Sequence, residues 1–137
     1  MGRVINTDSL GKRRSQLMRT SAEVLRHLTQ KQQIDDEAKD MLALLALSLR
    51  EIADGIIEST RAWEKRNYWV KIEQFERRWG WADQCAARLE KMIREEDWSS
   101  IPQVLVRLLP YFNDVKVTKF TRKASEWDGQ YERLMES

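Results

Sequence analysis

The sequence predicts an all-α protein, an antiparallel helical bundle, on three observations. The 137 residues include only two prolines and five glycines. The long stretches between them are rich in Ala, Leu, Glu, Lys, Arg and Gln, the residues that lose least on entering a helix. Apolar residues recur at steps of three and four, as they do along one face of a helix. A chain of this length at 42% hydrophobic can bury one core without disulfides or metals, so a single domain over 1–137 is expected. No internal repeat is found.

The first helix is predicted over about 8–31, with Leu10, Leu17, Ser21, Val24 and Leu28 in a seven-residue rhythm widened by Met18 and Leu25. Thr7 or Asp8 is placed to accept its first free amides. This helix is the basic one: residues 1–34 carry seven Lys/Arg against two Asp/Glu. Asp35, Asp36 and Glu37 then supply the negative charge that a helix start prefers.

The second helix, about 36–66, carries a seam of Ala38, Leu42, Leu45, Leu49, Ile52, Ile56, Ser59 and Trp63. A third, about 68–97, carries Tyr68, Ile72, Phe75, Trp79, Ala82, Ala86, Leu89 and Ile93. The two seams differ in phase by two residues, or roughly 200° around the axis. A tight reversal at Lys65-Arg66-Asn67, with Asn67 left-handed, explains the slip better than one helix of roughly 90 Å.

A serine cap and Pro102 open the fourth helix, whose apolar face is Val104, Leu105, Leu108, Leu109 and Phe112, and Pro110 must kink or end it. Beyond it, 113–137 reads as a partly extended tail with a short helix near 124–135. The fourth region is therefore a proline-broken one.

Several chemistries are excluded. One cysteine, Cys85, allows neither an internal disulfide nor a Cys-based zinc site, and it fits a reducing, cytoplasmic setting. The most apolar run, MLALLALSL at 41–49, is far short of the roughly 20 residues of a membrane span. One histidine, His27, cannot build a di-iron centre or a catalytic triad, and its spacing from Glu23 suggests a helix-surface pair. Gly55 and Gly80 are isolated within helices, which points to close helix approach and not to a phosphate loop. No catalytic residue, metal or cofactor is expected.

Three functions are weighed. Protein association, as a homodimer or with another protein, rests on apolar residues off the seams: Val70, Trp81, Cys85 and Met92 on the third helix, with Leu44 and Leu47 on the second. Either the C-terminal stripe Trp127, Tyr131, Leu134 and Met135 or a second copy should cover them. The alternative is an RNA- or DNA-binding module using Lys12, Arg13, Arg14 and Arg19 with Lys116, Lys119, Arg122 and Lys123, although the net charge of +2 gives it no general support. A third reading is a Mg-dependent nucleotide hydrolase. Asp36-Glu37-Ala38-Lys39-Asp40 with Glu51-Ile52-Ala53-Asp54 superficially resembles the acidic signature of all-α nucleotide pyrophosphohydrolases. Those motifs must converge from different helices, and these lie on one, about 20 Å apart. The reading carried forward is a non-enzymatic bundle acting through protein association.

Overall fold

The computed structural model describes residues 7–137, with side chains from Ser9 onward, and has no strand among them. The helices are α1 (Thr7–Gln30), α2 (Asp36–Glu64), α3 (Trp69–Trp79), α4 (Trp81–Arg94), α5 (Ile101–Leu108), α6 (Ala124–Trp127) and α7 (Gln130–Glu136). Short 3-10 turns occupy Trp98–Ser100 and Leu109–Phe112. The cap read at Thr7 or Asp8 lies outside the described side chains.

α2 is the axis. Asp35 opens it by accepting the Ala38 amide at 2.8 Å, and Lys31 bridges Asp35 at 2.9 Å and Glu37 at 2.7 Å. In its first half Met41, Leu42, Ala43, Leu45, Ala46, Ser48 and Leu49 are all buried, so the helix is apolar on every side and must be surrounded. α1 and α4 supply two of its walls. Both run antiparallel to it, as the pairs Arg13–Glu51 and Lys31–Asp35 on one side and Arg50–Asp83 and Trp63–Phe75 on the other require. α5 and the turn after it contribute Ile101, Val104, Leu105, Leu108 and Phe112 to the same core.

The reversal between α2 and α3 falls where the phase slip places it. Asn67 is left-handed at φ 57°, and the Tyr68 and Asn67 amides donate to the Trp63 and Glu64 carbonyls. This pair of bonds closes the orphan carbonyls of a helix end. Glu96, at φ 54°, ends α4 by the same device, with the Asp97 amide on the Met92 carbonyl at 2.9 Å.

Two expectations are corrected. The helix read as continuous over 68–97 is divided at Gly80, whose amide reaches the Glu76 carbonyl at 2.7 Å. A Cβ on Gly80 would stand 2.8 Å from that oxygen. Close helix approach is therefore not its reason: the obstacle is the backbone of its own preceding turn, and at Gly55 nothing lies within 4 Å. Gly80→Ala should destabilise by about 1–3 kcal/mol. Gly55→Ala should instead stabilise by up to about 1 kcal/mol, and paired thermal melts check both signs. The second correction is minor: Ser100 makes no capping bond, and α5 is entered through the 3-10 turn. Pro110 acts as read, since α5 stops at Leu108 and the chain tightens to 3-10 geometry.

From Asn113 the chain runs without regular structure to Lys123 and crosses α1. α6 and α7 then pack on α2, where the Asp40 carboxylate accepts the Tyr131 amide at 2.9 Å. Gly129, at φ 79°, makes the turn between them.

Glu23 holds this crossing. Its side chain is wholly buried, and its carboxylate accepts from Arg19 at 2.9 Å, from the Thr121 hydroxyl at 2.8 Å, from the Arg122 amide at 3.0 Å and from the Thr121 amide. The Arg122 guanidinium adds a contact at 3.4 Å and bonds Thr20 at 2.9 Å, while Arg19 also donates to the Lys116 and Lys119 carbonyls at 2.6 and 2.7 Å. Burial alone would raise this carboxyl, but the bonds from Arg122, Arg19 and Thr121 outweigh it and hold it at about 2. The expected Glu23–His27 pair does not form: His27 stacks on Phe120 at 4.0 Å and lies 5.4 Å from Trp127.

Candidate functional site: the aromatic flank and its cationic cleft

The stretch from Arg61 to Trp81 forms one aromatic flank. Trp63 meets Phe75 edge-on at 4.9 Å, Phe75 lies 6.5 Å from Trp79, and Trp79 lies 6.2 Å from Trp81. Trp81 in turn stacks on Tyr111 at 4.3 Å and 7°, with Phe112 edge-on at 5.7 Å. Trp79 and Trp81 lie on either side of Gly80, where α3 gives way to α4, and their rings stack across it at 29°.

Cations cover the flank. The Lys71 ammonium lies 4.3 Å from the Trp63 ring centre. The Arg14 guanidinium lies 4.8 Å from that of Phe75 and 5.2 Å from that of Trp79, and Arg78 lies 5.4 Å from the Trp79 ring. Such contacts are favourable, by about 0.5–2 kcal/mol each. Burial, and then the neighbouring Arg78 charge, lower the Arg14 pKa from its ordinary value. The Arg14 Nε is buried with no hydrogen-bond partner among the described residues.

Between α1, the α3–α4 bend and residues 111–116 lies an open cleft of about 830 Å³. Arg14, Arg78 and Lys116 line it with Phe75, Trp79, Trp81 and Tyr111, and Asp114 is its one carboxylate among the lining residues. Arg14, Arg78 and Lys116 form no side-chain ion pair among the described residues.

Of the six residues read as one association surface, five are half-buried against the core and Val70 is exposed. Trp81 is half-buried beneath Tyr111, a cover neither of the two expected candidates supplies. Cys85 and Met92 are half-buried against the core, and burial pushes the Cys85 thiol up, which keeps it protonated and weakly nucleophilic. Leu44 and Leu47, also half-buried, line a groove with Glu126, Gln130 and Arg133 of the C-terminal segment. Only Val70 stands clear, 70% exposed at the tip of the α2–α3 hairpin beside Trp69 at 59% and Tyr68 at 45%. Ile57, near the end of α2, is 47% exposed. Sequence reasoning missed Tyr68 as a surface residue because it counted Tyr68 in the seam of the third helix. The reversal itself was the available signal, since residues at a hairpin tip have no neighbouring helix to cover them.

The basic residues of the nucleic-acid reading also divide. Arg13 is held by both Glu51 oxygens, at 2.8 and 3.1 Å, and Arg19 and Arg122 by Glu23. Lys12, Lys119 and Lys123 are exposed, and Arg14 and Lys116 meet in the cleft. Three of the five acids of the hydrolase reading are occupied elsewhere: Glu37 by Lys31, Asp40 by the Tyr131 amide and Glu51 by Arg13. Among the described residues no three His, Cys, Asp or Glu side chains are grouped to hold a metal, and no helix is long and apolar enough to cross a membrane. The chain matches no protein-family model, no curated protein and no solved structure.

Proposed function

We propose that the protein is a non-enzymatic association module that pairs with a second copy of itself through the tip of the α2–α3 hairpin. The observation that carries this reading is the exposure of Tyr68, Trp69 and Val70 together at the tip of the hairpin. Large apolar side chains clustered at a surface favour burial against a partner, and tryptophan is the usual anchor of such contacts. A patch this small meets its own image most simply about a two-fold axis, where each Trp69 packs against the partner copy's patch. A reducing cytoplasmic setting fits the single half-buried thiol of Cys85.

Trp69→Glu tests the reading without touching the core. Light scattering behind size exclusion should give the mass of two chains for the wild type and of one for the variant, with unchanged helical content. A wild type that elutes as one chain at its highest soluble concentration would sink the proposal.

A further inference from the structure

The cleft beside the α3–α4 bend combines two features that a core has no use for. The first is three cations, Arg14, Arg78 and Lys116, against one carboxylate, Asp114. The second is an aromatic wall on which a flat ring can rest, since Trp79 and Trp81 are only half-buried and Tyr111 is 45% exposed. Two guanidiniums over one indole repel each other, and cation–π contact offsets only part of that. An anion between them removes the repulsion, which adds to burial in lowering the Arg14 pKa. The guanidinium fork suits phosphate oxygens better than an ammonium does. At about 830 Å³ the cleft is within the usual size of small-molecule sites.

We propose that this cleft binds a nucleoside phosphate, either free or as one unit of a single-stranded nucleic acid, with the phosphate on Arg14, Arg78 and Lys116 and the base stacked against the exposed face of Tyr111. The base supplies the flat π face that aromatic side chains hold without regard to sequence, and the phosphate supplies the charge. Asp114 faces the same space and favours a ligand with a donor, such as a ribose hydroxyl or a base amine, on its side. The site is separate from the hairpin tip, so the two proposals fail independently.

The test is titration at low salt with four probes, read by calorimetry and by quenching of tryptophan fluorescence: adenosine monophosphate, adenosine, inorganic phosphate and a short single-stranded adenylate oligomer. The monophosphate should saturate, and added salt should weaken it. Adenosine and phosphate alone should each bind at least about tenfold more weakly. Arg78→Gln, an exposed position, should weaken the monophosphate about tenfold with no change in melting temperature. Arg14→Lys, which keeps the charge but not the fork, should weaken it too. Trp69→Glu should leave it unchanged. Saturation by the oligomer alone assigns the site to the polymer, and saturation by both assigns it to the free nucleotide as well. The proposal is overturned if neither the monophosphate nor the oligomer saturates, if phosphate binds as tightly as the monophosphate, or if Arg78→Gln has no effect.

Discussion

Replacing Glu23 with glutamine should cost the fold about 3–5 kcal/mol, the range for removing one partner of a buried charge pair. The substitution conserves size, but its N–H₂ must replace either Oε1, which accepts from the Thr121 and Arg122 amides, or Oε2, which accepts from the Thr121 hydroxyl and the Arg19 and Arg122 guanidiniums. Donors then face donors, and the buried groups left without partners carry a full desolvation penalty. Urea denaturation gives the loss, and limited proteolysis should cut between Asn113 and Lys123 before the bundle itself opens.

The same residue sets a pH dependence with a definite sign. The Glu23 carboxyl is held at about 2 in the folded chain against 4.5 as its ordinary value. A lowered folded-state pKa stabilises fully above the ordinary value, and that stability is lost as pH falls from 4.5 toward 2. The shift corresponds to about 3 kcal/mol, because each unit is about 1.4 kcal/mol and the group is wholly buried. Wild type should therefore lose stability steeply across this acid window, whereas Glu23→Gln should be flatter there. Parallel slopes for the two proteins would mean that Glu23 is not the group responsible.

Trp127→Ala should cost a further about 3–5 kcal/mol measured alone, as deletion of a large buried side chain does. Trp127 is 6% exposed and belongs to the core cluster, where it lies beside His27. It anchors the end of the segment that Glu23 clamps in the middle. Once either anchor is lost the other has less to hold, so the double variant should lose less than the sum of the single losses. Full additivity in a double-mutant cycle would show that 113–123 and α6–α7 are held independently.

Much of this architecture is readable along the chain. The seam of α2 from Ala38 to Ser59 is buried at every position, and the seam of α4 at Ala82, Ala86, Leu89 and Ile93 is too. Helical periodicity is a local property, and a helix with one apolar stripe has one way to bury it. The two-residue slip between the seams located the reversal, and Asn67 tolerates the left-handed conformation the turn needs. Leu44 and Leu47 lie off the α2 seam, and in the fold they are half-buried and line a groove with Glu126, Gln130 and Arg133.

The tertiary structure alone decided which residues meet across long separations in the chain. Glu23 reads as an ordinary polar residue on a basic helix, and only contacts with residues 98 and 99 positions later make it a buried clamp. Trp81 looked misplaced because it lies off the seam to which Trp79 belongs. Tyr111, thirty residues later, covers it, and with Arg14 from α1 the two tryptophans frame the cleft. Composition, periodicity and capping thus determined the helices, the reversal and the faces that need cover, since each depends on neighbours within about one helical turn. What covers those faces, and which charges are left free to bind, depends on side chains from distant segments competing for the same space, and that competition is settled only in the folded chain.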